Sequence, residues 1–425
     1  MVAAVDTGVG SVPCTGTPWM SLMRFAVGWQ RCSLYSKVTL HRMARIIVTD
    51  RRLALAALAV VSLTAVVATL GEAQAPAPAA PAPAPVPRMA VRNSAPATAW
   101  SADAIDGAAR TLPRLHSLLI SRGGDVVFEE SYNGARLDRP ANIKSASKSI
   151  ISALVGIAID RRLIPGVETP ILAYFPELRR ATDARKREIT VEHLLTMRPG
   201  LQGTSNRNYG AWVTSRDWVR HALARPMFAA PDEEMEYSTG NTHLLSAILT
   251  KATSKSTWEF ANEALARPLA FTLAKWPRDP QGIYFGGNDM LLTPRQMLAF
   301  GELYLNRGRA GGRQVVPESW VDASCEGRAR TRRPGNPAFD PIRGFDPMRD
   351  RKYGYGWWVH ELGGVDTCFA WGYGGQYVFV MPDLDLVVVT TSSPDVSEER
   401  RGHRQVVFDI LERLVVAPLA ARQKS

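Results

Sequence analysis

Hydrophobic and polar positions alternate with two different periods along this chain, and the period switches mark its organisation. Leu115–Ser121 and Val126–Ser131 read as two short strands around Gly123-Gly124-Asp125, a hairpin signal. From Ser145 to about Leu273 the apolar positions recur at helical spacing, broken by polar and proline-rich loops. The run Ile150–Ile159 is the most apolar of these helical stretches. Leu292-Thr293-Pro294 predicts another helix start, with Thr293 as N-cap and Pro294 at the first helical position. Strand signals return at Tyr353–Glu361, Cys368–Val380 and Leu384–Thr391, the last two separated by the turn Pro382-Asp383. An amphipathic helix over about Glu399–Val416 follows. Two strands, a helical block, three strands and a terminal helix predict an α+β fold. One antiparallel sheet takes strands from both chain ends, carries helices on its faces and has a mainly helical subdomain inserted.

Ahead of this pattern the chain behaves differently. Residues 43–75 read as an export signal. Arg45, Arg51 and Arg52 precede an uncharged, mostly apolar run at residues 53–70, and Ala73-Gln74-Ala75 supplies a small-x-small cleavage site. The run is also long enough to serve as an uncleaved membrane tether. Residues 76–99, rich in Ala-Pro repeats, form an extended linker that cannot bury a core. Residues 1–42 lack the character of a signal n-region, so they are expected to be an extension ahead of a natural start at Met43, or disordered. The folded domain then spans 100–420, in an exported, periplasmic or extracellular protein.

The composition, 46% hydrophobic and 21% charged, is that of a globular protein, and the net charge is +11. Part of the excess clusters in Arg179-Arg180…Arg185-Lys186-Arg187 and in Arg328–Arg333. These read as two solvated loops. No zinc-finger spacing and no aromatic run of the kind that stacks bases accompanies them, so nucleic acid is not an expected partner. Of four cysteines, Cys325 and Cys368 fall in the folded part. One disulfide or two buried thiols are equally compatible with their spacing.

The chemistry centres on Ser145-Ala146-Ser147-Lys148, the one place where a lysine follows a serine by three positions. On a helix these side chains share a face, which puts an amine beside a hydroxyl. A hydroxyl so placed is the start of covalent acyl transfer. No Gly-x-Ser-x-Gly elbow is present. His193 and His243 lie in apolar helical runs, where histidines are usually structural. No ligand spacing suggests a metal. A second titrating group is best supplied by Tyr237, in the polar loop Glu236–Asn241. Trp371–Gln376 is a glycine-rich stretch at a strand edge, where a substrate can approach the backbone. Tyr209 and Trp212 sit in a polar loop and are candidates to line a cleft.

These pieces, in this order, resemble the serine β-lactamase and penicillin-binding-protein superfamily. The similarity is greatest to its β-lactamase-related hydrolases: class C-like enzymes, esterases, DD-peptidases and 6-aminohexanoate-oligomer hydrolases. It runs from about Leu115 onward and includes Ile189–Met197, Tyr237–Leu245, Leu292–Leu305 and Tyr353–Trp358. The resemblance implies that Ser145 is acylated and that Lys148 and Tyr237 share general-base and general-acid duty. It implies an oxyanion hole from the N–H groups of Ser145 and Gln376, and no metal or cofactor. Substrate contacts would come from Tyr373, Gly374, Gly375, Asn241 and Tyr209.

Two departures bear on the substrate. The usual Tyr-x-Asn motif is Tyr237-Ser238-Thr239 here, so Thr239 or Asn241 must take the asparagine's place. The usual Lys or His of the third motif is Tyr373, which removes a cation used on carboxylate-bearing β-lactams. A neutral or weakly charged small-molecule ester or amide is therefore expected. β-Lactamase or DD-peptidase activity at the same site, or an envelope-binding module with impaired turnover, are the alternatives.

Overall fold

The computed structural model describes residues 100–330, 351–397 and 400–423. The predicted extension, leader and linker (1–99) and the end of the second basic stretch (331–333) lie outside the described residues. The chain enters through helix α1 (Ala102–Arg110), whose N-cap Ser101 accepts the Ala104 N–H. Strands β1 (Leu115–Arg122) and β2 (Asp125–Ser131) follow. Gly123 and Gly124 between them have φ of 60° and 82°. A two-residue turn matching strand twist requires positive φ at both positions.

The helical insertion is built around α2 (Ser147–Asp160), α3 (Thr239–Thr253) and α4 (Pro294–Leu305). α2 is buried on nearly every side, which is why its sequence lacks a polar face. Gly156 is needed there because a Cβ would come within 2.4 Å of the Trp320 ring. α4 begins with Thr293 as N-cap, Gln296 closing a capping box and Pro294 in the first turn.

The chain then returns to the sheet through β3 (Ala329–Arg330), β4 (Lys352–Tyr353), β5 (Trp358–Leu362), β6 (Val365–Gly372), β7 (Gln376–Met381) and β8 (Leu386–Ser392). It continues into α5 (Arg400–Ile410) and a further helical segment to Gln423. The eight-stranded sheet runs β2-β1-β8-β7-β6-β5-β4-β3, with every neighbouring pair antiparallel. The β1–β8 pairing, with Leu119 opposite Val389 and Ile120 opposite Val388, joins the N- and C-terminal parts of the domain.

Strand alternation divides the core in two. Leu119, Val378, Val387 and Val389 pack with Ile151, Leu154, Met297 and Phe300 of the insertion. Leu118, Ile120, Phe379 and Val388 pack with Ile105, Phe408, Leu411 and Val415 of the terminal helices. The sheet is thus covered on both faces.

Two predicted strands are broken. Tyr353–Glu361 is interrupted at Gly354–Trp357, where Gly356 has φ 77° and docks against α2; a Cβ there would lie 2.9 Å from the Lys148 carbonyl oxygen. Cys368–Val380 is two strands joined by Tyr373-Gly374-Gly375, whose glycines have φ of 93° and 114°. Cys325, at the end of the helix Glu318–Cys325, is disulfide-bonded to Cys368 on β6. Among the described residues no helix is long and apolar enough to cross a membrane.

Candidate active site

Ser145 lies in a 3-10 turn, Lys144–Ala146, that runs directly into α2. The turn is held from three directions. Lys144 has φ 50° and pairs with Asp289 at 2.9 Å. Asn142 Oδ1 accepts the Lys144 N–H at 3.0 Å while its Nδ2 donates to Asp289 at 2.9 Å. Ser147 Oγ donates to the Lys144 carbonyl at 2.6 Å and accepts from Met290 N–H at 3.2 Å. A non-glycine residue at positive φ persists only when its surroundings over-determine it, as these contacts do.

Lys148, in the first turn of α2, is 1% exposed, whereas Ser145 is partly exposed. Its Nζ lies 3.1 Å from Ser145 Oγ, 3.3 Å from Thr239 Oγ1 and 2.5 Å from the Gly287 carbonyl oxygen. Burial lowers its pKa to about 7, with Asp289 pulling weakly the other way. A lysine in this state exchanges protons near neutral pH.

Tyr237 completes the group. Its ring stacks on Trp358 (centroids 5.7 Å apart, 23° between planes) and meets Tyr353 edge-on at 6.2 Å. Lys148 Nζ is 4.9 Å from the ring centroid. Burial raises the phenol above its usual value, and a hydrogen bond with the Ser145 side chain partly offsets this. The hydroxyl is therefore a proton donor at neutral pH.

α3 and the loop before α4 deliver the remaining pieces. Thr239, at the start of α3, is the residue of the second motif that touches Lys148. Asn241 is buried in the same helix and its Nδ2 donates to Met197 Sδ at 3.6 Å. Gly286 and Gly287 lie flat on α3: a Cβ on Gly286 would come within 2.2 Å of the Thr242 carbonyl oxygen, and one on Gly287 within 2.2 Å of Thr242 Oγ1. That close approach carries the Gly287 carbonyl to Lys148. His243 helps secure the loop, with Nε2 3.0 Å from Asp279 Oδ2 and Nδ1 accepting the Gly286 N–H at 3.4 Å. His193 serves a local role, with Nδ1 accepting the Thr190 N–H in a capping box. Neither histidine is hydrogen-bonded to Ser145.

Tyr209 OH accepts from Asn288 Nδ2 at 2.9 Å, beside Gly287 and Asp289. Trp212, in contrast, is fully buried among Trp218, His243 and Phe285, with Nε1 donating to the Trp218 carbonyl at 2.9 Å. It packs the core and does not line a cleft.

The β6–β7 hairpin stands beside the Ser145 turn. A Cβ on Gly372 would come within 2.1 Å of the Ile143 carbonyl oxygen, so this contact admits only glycine. Gln376 is buried, and its side chain holds Ser392 in both directions: Nε2 donates to the Ser392 carbonyl at 2.6 Å and Oε1 accepts the Ser392 N–H at 3.2 Å. Gly374 and Gly375 back onto Ser393 and onto Ser392 and His403. His403 Nε2 is 2.9 Å from Ser392 Oγ. Burial, reinforced by Arg114 and His116, lowers the His403 pKa to about 4. This imidazole is neutral at physiological pH and does not replace the missing third-motif cation.

Thr239 as the lysine's partner, the Gly287 carbonyl and the Trp358 platform carry no recognisable sequence signal of their own. Only the departure from Tyr-x-Asn pointed towards Thr239.

A partly exposed serine with a buried amine at hydrogen-bonding distance, on a helix packed against a large antiparallel sheet, defines a serine hydrolase of the β-lactamase and transpeptidase fold. The Beta-lactamase family model matches residues 98–412. A 6-aminohexanoate-dimer hydrolase from Paenarthrobacter ureafaciens is 25% identical over 344 residues, covering 74% of this chain and 84% of the relative. Among solved structures, a beta-lactamase candidate from Bacteroides dorei DSM 17855 superposes with a TM-score of 0.61 at 18% identity, covering 74% of this chain and 99% of that one. The octameric penicillin-binding protein homologue from Pyrococcus abyssi gives a TM-score of 0.53 at 17% identity, with 74% and 77% covered. The chain belongs to the beta-lactamase family, and it is a serine hydrolase of amide or ester bonds.

Proposed function

We propose that the protein hydrolyses small, neutral or weakly charged esters or amides through an acyl group on Ser145. The observation that carries this reading is the Lys148 amine, 3.1 Å from Ser145 Oγ and with a pKa lowered to about 7. The neutral amine takes the Ser145 proton as the hydroxyl attacks the substrate carbonyl. Tyr237, protonated and beside both groups, gives a proton to the departing alcohol or amine. The N–H groups of Ser145 and Gln376 receive the oxyanion, a role supported by the packing of Gly372 against the turn ahead of Ser145. Water attacks the acyl-enzyme with the same groups acting in reverse.

The absence of a cation at Tyr373 and the neutral state of His403 favour substrates without a carboxylate beside the scissile bond. The similarity to a 6-aminohexanoate-dimer hydrolase supports linear amides within that class. A panel of short-chain nitrophenyl esters, linear aminohexanoate amides, nitrocefin and D-Ala-D-Ala peptides tests this. The esters or linear amides are expected to have the highest kcat/KM, by about tenfold or more over nitrocefin, the worth of one lost charge contact. Preference for nitrocefin or the D-Ala-D-Ala peptide would overturn the substrate assignment.

We also infer export to an oxidising compartment. The Cys325–Cys368 disulfide supports it, because such bridges persist outside the reducing cytosol. Fractionation should recover the mature chain, starting near residue 76, outside the cytoplasm; a cytoplasmic, fully reduced chain would contradict this.

A further inference from the structure

The Lys148 ammonium meets three acceptors: Ser145 Oγ, Thr239 Oγ1 and the Gly287 carbonyl. The neutral amine has two N–H bonds and one lone pair, and the lone pair needs a donor. Gly287 offers only a carbonyl oxygen, so a hydroxyl must fill that role. When Ser145 does so, Lys148 donates to Thr239. Thr239 Oγ1 is also 2.9 Å from Ser205 Oγ, and Ser205 Oγ accepts the Thr239 backbone N–H at 2.8 Å. With Thr239 accepting from Lys148, its own hydrogen points at Ser205. Ser205, accepting twice, must send its hydrogen elsewhere. Ser205 is partly exposed, while Lys148 and Thr239 are 1% and 4% exposed.

We propose that Thr239 and Ser205 form a proton relay between the buried Lys148 amine and solvent. In one step the Lys148 ammonium passes a proton to Thr239 Oγ1, the Thr239 hydroxyl proton passes to Ser205 Oγ, and the Ser205 proton passes to water, leaving the neutral amine and a hydronium ion. One N–H bond is lost, one O–H bond to water is gained, and each hydroxyl ends with one hydrogen. No electrons are exchanged. An asparagine at position 239 can touch Lys148, but its carboxamide has no hydroxyl proton to hand on. The proposal rests on Lys148 acting as the base.

The relay matters most for esters. At the end of the cycle the acid leaves Ser145 beside the neutral Lys148 amine and ionises onto it, because carboxylic acids ionise well below neutral pH, so each ester turnover leaves Lys148 one proton to pass to water. An alkyl amine instead departs from the acylation step as ammonium, carrying one extra proton out of the site, and the acid formed afterwards replaces that proton, so none has to be handed to water. Losing the relay should therefore slow ester turnover and spare amide turnover.

The test compares the full-length protein with Ser205→Ala and Thr239→Asn on an ethyl ester and an N-alkyl amide of one acyl group, in weak buffer and with added imidazole. The variants are expected to lose about tenfold in ester kcat in weak buffer and to recover as imidazole rises, a share of the usual worth of positioned proton transfer. Wild-type kcat should not respond to imidazole. Unchanged ester kcat in both variants would overturn the relay. So would a loss that imidazole does not restore in a variant with wild-type thermal unfolding, since that is the signature of a packing role. Thr239→Asn keeps the test open if Ser205→Ala fails to fold. Lys148→Ala with full ester activity would instead overturn the reading on which the relay rests.

Discussion

Ser145→Ala is expected to lower kcat/KM for ester hydrolysis by about 10⁴-fold or more, the usual cost of removing a nucleophile while the oxyanion donors and binding surface remain. The fold should tolerate it. Ser145 lies in a 3-10 turn whose conformation is set by Lys144, Asn142, Ser147 and Asp289, none of which bonds to Ser145 Oγ. The variant loses the 3.1 Å contact with Lys148, whose other two acceptors stay in place, and the hydrogen bond with Tyr237, whose ring stays stacked on Trp358. Unfolding temperature should therefore move little while activity disappears. Substantial residual turnover in a well-folded Ser145→Ala protein would remove the serine from the mechanism.

Lys148→Met is expected to separate activity from stability. Activity should fall by about 10³- to 10⁴-fold, because the serine loses its base. Stability should rise, because a buried cation gives way to an apolar chain of similar length. The pH dependence follows from the sign of the shift. The folded-state pKa is about 7 against an ordinary value of 10.5. Below about 7 both folded and unfolded states carry the proton, and the cost of burying the charge is fully present. Between about 7 and 10.5 only the unfolded state carries it, so wild-type stability rises with pH across that window. The advantage of Lys148→Met should thus be largest near pH 6, at about 1–3 kcal/mol after the lost hydrogen bonds are counted, and should shrink towards pH 10. Wild-type kcat/KM should rise with pH through about 7 as the amine becomes neutral. A rate flat between about pH 5 and about pH 9, measured over a range in which the protein stays folded, would contradict the role of Lys148.

Local signals in the chain foretold those parts of the molecule that local physics controls. Gly123-Gly124 forced a hairpin because positive φ costs glycine little. Thr293-Pro294 started α4 because the cap and the fixed proline φ act within one turn. The all-apolar face of α2 announced a central helix, and Ser145 and Lys148 meet because the turn before α2 preserves their spacing. Tyr237 was legible as a tyrosine in a polar loop ahead of an apolar helix.

What stayed hidden depends on distant backbone. The Gly287 carbonyl reaches Lys148 only because two glycines let their loop lie flat on α3. The choice between Thr239 and Asn241 is made by helical phase at the start of α3, which turns Thr239 to Lys148 and Asn241 to Met197. The break at Gly354–Trp357 arises from docking against α2, a contact invisible in a β-rich window. Trp212 looked like a cleft residue in a polar loop and instead fills an aromatic cluster with four other rings, Tyr209, Trp218, His243 and Phe285.

The central claim is a covalent acyl group on Ser145. Intact-mass and peptide mapping after brief exposure to an activated ester, quenched in acid, addresses it directly. One acyl group per chain, located on Ser145 and absent from Ser145→Ala, is the predicted result. Turnover with no adduct in the first turnover, or an adduct on another residue that persists in Ser145→Ala, would contradict the account.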